Sequence, residues 1–278
     1  FKQKTAYEIR LSLVGSEMCI RDRLLPEIDP VIIQIGWFSI RWYSLTWIAA
    51  FLTIYFLIKN YQKDLNTEQV SDLMFYSLLG AILGGRAGYV LFYSIEQFFN
   101  NPLSIFFIWE GGLSFHGGLL GVLVACLLLS KKWGVGFFWL MDRVAPFVPP
   151  GLGFVRLGNF MNSELLGRPT DMSWGVIFPS DPLGISRHPS QLYQAFGEGI
   201  LLFIYMFIVV QKPKPLMNVS GHFLIGYGVI RFVTEFFRTP DQHIGFSAFE
   251  LLTRGQLLSI PMVVIGLLLI YYSYKKQI

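Results

Sequence analysis

Seven apolar runs, each close to the length of a bilayer crossing, leave this chain few folds to choose from. They fall at residues 42–58, 73–93, 113–129, 135–155, 192–210, 223–237 and 257–272. A crossing helix takes about 20 apolar residues, with about 17 as a lower limit. The sixth run is short unless its flank is counted, which moves its start to near Ser220. Composition agrees with the pattern. Hydrophobic residues make up 53% of the 278 and charged residues only 14%, where a soluble domain carries roughly 25% charge. Mean hydropathy is +0.51. One water-soluble core cannot bury that much apolar surface. The expected fold is all-α, a polytopic membrane bundle of seven transmembrane helices forming one domain over residues 24–278.

Residues 1–23 read differently: polar, mixed in charge, and without the short apolar core of a signal peptide. They are expected to be an extension foreign to the fold, artefactual or disordered. Within the fourth run, Pro146, Pro149 and Pro150 predict a kink or break. Irregular backbone at membrane depth survives only inside protein or against a wet cavity, so a polar interior is expected. Past the extension, the lysines are Lys59, Lys63, Lys131, Lys132, Lys212, Lys214, Lys275 and Lys276, in pairs after runs one, three, five and seven. All eight therefore fall on one face, which the positive-inside rule makes cytoplasmic. The native N-terminus is then periplasmic and the C-terminus cytoplasmic.

Every other basic residue past the extension is an arginine or histidine. Ionisable groups inside spans are costly and usually face a bundle interior or cavity. The inferred orientation places Arg86 and Tyr89, His116, Arg156, Arg231 with Glu235, and Tyr43 in the outward halves of their spans. Arg187, His188 and Gln191 open the fifth span, with Glu198 about two turns further in. The outer loops mix signs, with Glu96, Glu110, Glu164, Arg168, Asp171, Asp181, Asp241, Glu250 and Arg254 among them. Bland readings stand beside the functional ones. Arg231 and Glu235, four apart, could simply neutralise each other. Arg86 could staple helices together, His116 could be an interfacial residue beside the close-packing pair Gly117-Gly118, and Tyr43 would suit an aromatic belt. Asp142 and Arg143 read as structural. Against these stands the stripe Tyr227, Arg231, Glu235, Arg238, whose net positive charge suits an anion. A guanidinium stays charged in a low-dielectric site and grips phosphate with a planar fork. The residues alone thus point to phospholipid head groups, with His116 able to exchange protons near neutral pH.

The run Gly153-Phe154-Val155-Arg156-Leu157-Gly158-Asn159-Phe160-Met161-Asn162-Ser163-Glu164-Leu165-Leu166-Gly167-Arg168-Pro169-Thr170 closely resembles the signature of bacterial prolipoprotein diacylglyceryl transferases. Other stretches match that family in order: Asp29-Pro30, Gly84-Gly85-Arg86-Ala87-Gly88-Tyr89, Ser114-Phe115-His116-Gly117-Gly118, and Arg187-His188-Pro189-Ser190-Gln191-Leu192-Tyr193. The stripe from Gly226-Tyr227-Gly228 to Arg238 and the run Gly255-Gln256-Leu257-Leu258-Ser259 complete the set. The resemblance covers roughly residues 25–276. It implies a multi-pass enzyme of the bacterial inner membrane with its active site toward the periplasmic leaflet. The implied reaction moves the diacylglyceryl group of phosphatidylglycerol onto the thiol of the lipobox cysteine of a prolipoprotein. A thioether forms and glycerol phosphate leaves, as the first step of lipoprotein maturation.

On that resemblance, Arg156 is expected to bind the lipid phosphate and Arg231 to stabilise developing charge, with Glu235 orienting it. His116 is the candidate base for the cysteine, although Glu235 or the phosphate could take the proton. Tyr43, Asn159 and Glu164 are expected to position the head-group glycerol, and Tyr227, Arg86 and Tyr89 to line the site. The partners are phosphatidylglycerol, lipobox signal peptides and membrane lipid. No nucleic acid is expected, since a net charge of +4 is too weak. No cofactor and no metal are expected either. His116, His188, His222 and His243 lack ligand spacing, and Cys19 and Cys126 suggest neither a disulfide nor a metal site. A membrane serine protease lacks a nucleophile elbow here. A lipid transporter should show internal repeats or a polar path across the membrane.

Overall fold

The computed structural model describes residues 24–36, 38–240, 246–248 and 252–275. The readings placed on residues 1–23, Asp241, His243, Glu250 and Lys276 lie outside them. All seven apolar runs are helical. The helices that carry these runs are α1 (Trp42–Tyr61), α2 (Thr67–Tyr93), α3 (Phe115–Lys132), α4 (Phe137–Val144), α5 (Pro149–Met161), α6 (Ser190–Val209), α7 (Asn218–Thr234) and α8 (Arg254–Lys275). Five of these, α1, α2, α3, α6 and α8, are long and apolar enough to cross a membrane. The fourth run breaks at its prolines. A 3-10 turn over Ala145–Phe147 separates α4 from α5, because proline removes a backbone donor and clashes with the preceding turn. The sixth run yields a helix of 17 residues, starting at Asn218, close to where its flank placed it.

The all-α expectation needs correction at the edges. Three two-stranded antiparallel sheets accompany the helices: β1 (Val31–Ile35) with β2 (Phe38–Arg41), β3 (Val176–Ile177) with β4 (Ser186–Arg187), and β5 (Phe246–Ala248) with β6 (Leu252–Thr253). The first hairpin turns where Gly36 takes φ +60, a conformation that glycine adopts freely. Strands of two to five residues are too short for alternation to reveal them in a sequence.

The chain divides into two compact units. One comprises the residues up to Ala50, Pro149–Tyr205 and Leu224–Ile265; the other comprises Phe51–Val148, Met206–Phe223 and Gly266–Ile278. The second unit is held by a glycine seam between α2 and α3. A Cβ on Gly121 would lie 1.9 Å from the Gly80 carbonyl oxygen, and one on Gly117 would lie 2.3 Å from that of Gly84. Only glycine lets two backbones approach so closely, which is how apolar helices associate in lipid. Beside the seam lies an apolar core of Ile58, Leu65, Val70, Leu73, Cys126, Leu129, Leu140 and Val144.

Asp142 acts as a borrowed cap in the same unit. Its carboxylate accepts from Met217 N at 2.7 Å, Ser220 N at 2.8 Å and Ser220 Oγ at 2.5 Å. Those are amides around the start of α7, whose first N–H groups have no partner within the helix. Arg143 pairs with Asp64 at 2.7 Å and lies 3.7 Å over the Trp139 ring. These contacts give Asp142 and Arg143 architectural roles, in keeping with their structural reading.

Candidate active site

In the first unit, α5 and α6 meet at two glycines. A Cβ on Gly153 would come within 3.1 Å of Gly199 Cα. Arg156 sits one turn along α5 from that contact and Glu198 directly precedes Gly199 on α6, so the close approach brings them together. Arg156 Nε donates to Glu198 Oε2 at 2.9 Å, and Nη2 reaches Oε1 at 3.5 Å. Glu198 is fully buried. It stands on a π-helical stretch, Ala195–Leu201, inside α6. Such wide turns inside α-helices are frequent at functional sites. Tyr227 of α7 pairs with Arg156 through its hydroxyl.

Arg231 extends the cluster. Its Nη1 lies 3.8 Å from Glu198 Oε1, and its Nη2 lies 2.9 Å from Glu235 Oε2. Beyond α7 the backbone tightens into a 3-10 turn, Glu235–Phe237. That turn sets Arg238 Nη1 3.5 Å from Glu235 Oε1. Thr253 Oγ1 donates to the same oxygen at 3.2 Å. Gly255 is required next door, since a Cβ there would meet the Glu235 carboxyl carbon at 2.7 Å. Among the described residues, three guanidiniums, of Arg156, Arg231 and Arg238, thus face two carboxylates, of Glu198 and Glu235. Arg231 Nη1 is buried without a hydrogen-bond partner among the described residues. A buried donor of that kind lacks the partner that such groups normally have. An anion oxygen at this place would satisfy that donor.

The loop after α5 supplies a second group of polar atoms. Glu164 is exposed, yet its carboxylate is held by Asn159 Nδ2 at 3.0 Å and Asn162 Nδ2 at 3.2 Å. Its carbonyl accepts from the Gln191 side chain. The residues on either side, Ser163 and Leu165, have φ of 52 and 55. Left-handed backbone at two non-glycine positions is strain, and strain of this kind collects at functional sites. Tyr43 of α1 packs on Gly158, where a Cβ would approach its ring to 3.0 Å. That places the tyrosine beside Asn159.

The loop is fastened further along. Arg168 N donates to Phe237 O, and His188 N to Arg168 O, both at 2.9 Å. Nearby, Arg187 grips Asp181 with Nε at 2.7 Å and Nη2 at 2.9 Å. These hydrogen bonds hold the Asp181 carboxyl below the usual carboxylate range.

The remaining predicted site residues belong to the second unit. Arg86 is buried on α2 and donates to Gly111 O at 2.5 Å and Ser104 O at 2.6 Å. Its guanidinium holds the segment between α2 and α3 and lies 5.7 Å over the Tyr89 ring. His116 is exposed on the first turn of α3, which Ser114 caps by accepting from Gly117 N at 3.3 Å. The structure therefore gathers Arg156, Tyr227, Arg231 and Glu235 into one cluster, with Tyr43, Asn159 and Glu164 as a neighbouring set in the same unit. Glu198 and Arg238 belong to the cluster, although neither had been assigned a site role from the sequence. A glutamate between Gly197 and Gly199 inside an apolar run was the available signal.

The model of the family described as prolipoprotein diacylglyceryl transferase matches residues 30–272. The chain belongs to this family. Over 259 residues it is 50% identical to the phosphatidylglycerol–prolipoprotein diacylglyceryl transferase of Acinetobacter baumannii strain ATCC 17978, covering 91% of this chain and 95% of that protein. It is 48% identical over the same length to the proteins of the same name from Pseudomonas syringae pv. syringae strain B728a and Pseudomonas putida strain KT2440, covering 96% of each. Membership carries the matched region across nearly all the helical elements, including every residue of the arginine–glutamate cluster.

Proposed function

We propose that the cluster of Arg156, Glu198, Arg231, Glu235 and Arg238 is the phosphate-handling centre of a diacylglyceryl transfer site. The chain transfers the diacylglyceryl group of phosphatidylglycerol to a prolipoprotein, a step of lipoprotein maturation. The acceptor atom in this reading is the thiol sulfur of a lipobox cysteine. Sulfur forms a bond to the glyceryl carbon that carries the phosphate oxygen, and that carbon–oxygen bond breaks. The thiol proton passes to a base, and the electron pair of the broken bond leaves on glycerol phosphate.

Each role follows from the chemistry of the residue that carries it. The thiolate is the competent nucleophile. Charge develops on the phosphate as it leaves, and preorganised cations stabilise such charge most effectively away from water. Arg156 holds the phosphate. Arg231, with a buried donor to spare, meets the oxygen that becomes the leaving group. Glu198 and Glu235 keep both guanidiniums aimed, and Tyr227 closes the Arg156 side. Tyr43, Asn159 and Glu164 receive the hydroxyls of the head-group glycerol. Arg86 shapes the loop that carries its acceptor carbonyls, and Tyr89 stacks with it. His116 takes the thiol proton. The seven helical runs cross the bacterial inner membrane, with the lysine-bearing ends cytoplasmic and the arginine cluster toward the periplasmic leaflet.

The buried Arg231 Nη1, without a hydrogen-bond partner among the described residues, is the observation that carries this reading. The test is detergent-solubilised protein with phosphatidylglycerol and a lipobox peptide. Lipidated peptide should accumulate in step with released glycerol phosphate. Lipid movement in vesicles without glycerol phosphate release would make the protein a carrier instead. In the same assay, His116→Gln should slow transfer by about 100-fold or more if the imidazole is the base. A rate near that of the unaltered enzyme would remove His116 from that role.

A further inference from the structure

A polar cavity lies at the lysine-bearing ends of the helices, wholly within the second unit. It has a volume of about 360 Å³, and its lining includes Arg143, Trp139, Lys212, Lys214, Asp64 and Asp142. The lining charges do not cancel. Arg143 is paired with Asp64, and Asp142 is committed to capping α7 through three hydrogen bonds. Neither Lys212 nor Lys214 has an ion-pair partner among the described residues. Lys214 lines the cavity and is only partly exposed. The Asp142 cap shapes this wall directly, because it fixes the backbone from Met217 to Ser220 immediately after the lysine loop. Trp139, whose face is already covered by Arg143, suits the polar–apolar boundary of a bilayer.

The geometry points to a second phospholipid site, one that holds the phosphate of an anionic lipid from the leaflet at these helix ends. The phosphate pairs with Lys212 and Lys214, and the glyceryl part rests against Trp139 and Leu216. Basic pockets between helices on the cytoplasmic side are suited to anionic head groups, through charge that a zwitterionic lipid does not match. This site is chemically unlike the arginine cluster. Lysine is a flexible point charge that holds phosphate without fixing its orientation, which suits a retained lipid more than a reacting one.

The test is native mass spectrometry of the full chain released from nanodiscs of phosphatidylcholine doped with phosphatidylglycerol, for the unaltered protein and for Lys212→Gln with Lys214→Gln. The double variant should retain one phosphatidylglycerol fewer per chain while its transferase activity stays within about twofold of the unaltered protein. Equal retention by the two proteins overturns the site. Replacement of the retained lipid by soluble glycerol phosphate, added in its place, overturns the lipid as its source. Arg156→Ala run in parallel separates this site from the catalytic one, because the lysine-dependent lipid should survive that change.

Discussion

The unit built around α5, α6 and α7 keeps Arg156, Glu198, Arg231, Glu235 and Arg238 largely out of solvent, whereas the α2–α3 unit fills its centre with Ile58, Val70, Leu73, Leu129 and Leu140. The two also differ in backbone. The α2–α3 pair is regular and joined through glycines. The other carries a π-helical stretch, a 3-10 turn after α7 and two left-handed non-glycine residues. In the first unit, irregular backbone and buried charge occur together. Wide or strained turns place side chains off the regular helical stripe, and the ion pairs hold the turns in place.

Removing one charge from the cluster breaks this contrast most strongly. Glu198→Ala leaves Arg156 and part of Arg231 uncompensated in a buried place, and breaking a buried pair costs about 3–5 kcal/mol. Thermal unfolding in detergent should fall sharply, and transfer should be lost. Glu198→Gln keeps the shape, so it should recover much of the stability without recovering the rate. An equally stable and active Glu198→Ala protein would contradict the role given to the cluster.

The opposite substitution sharpens the comparison from the other side. Gly121→Val forces side-chain atoms against Gly80 backbone and should cost about 1–3 kcal/mol or more. Unfolding would report that loss, while the KM for phosphatidylglycerol should stay unchanged in whatever protein remains folded. A raised KM with unaltered stability would assign the seam a substrate role instead.

The smallest effect concerns the loop fastening. Asp181 is held below its ordinary pKa by Arg187. A depressed carboxylate contributes stability above its unfolded value of about 3.9 and loses it as pH falls toward the folded value. Unfolding measured from neutral pH downward should therefore show a loss below about pH 4 that Asp181→Asn lacks. Identical acid profiles would show that the pair does not couple to folding.

Much of this was legible in the sequence. Arginines inside apolar runs are expensive, so Arg156 and Arg231 announced themselves, and three prolines marked the break between α4 and α5 in advance. Other parts required three dimensions. Glu198 was visible as a charge in a span, but its partner Arg156 lies 42 positions away, and no helical spacing links them. The loop-holding contacts of Arg86 depend on where Ser104 and Gly111 turn, which periodicity does not report. The β1–β2 hairpin was hidden because a run such as Val-Ile-Ile-Gln-Ile is too short to separate strand from helix.

The central claim is that guanidiniums of one buried cluster carry the phosphate through transfer. Its most direct test measures thioether formation from labelled phosphatidylglycerol onto a lipobox peptide by Arg156→Ala and Arg231→Ala, each checked for intact unfolding behaviour. Both should remain folded, and each should lose at least about 100-fold in rate, as expected when a charge-stabilising donor is removed. Either folded variant transferring at the rate of the unaltered enzyme would contradict it.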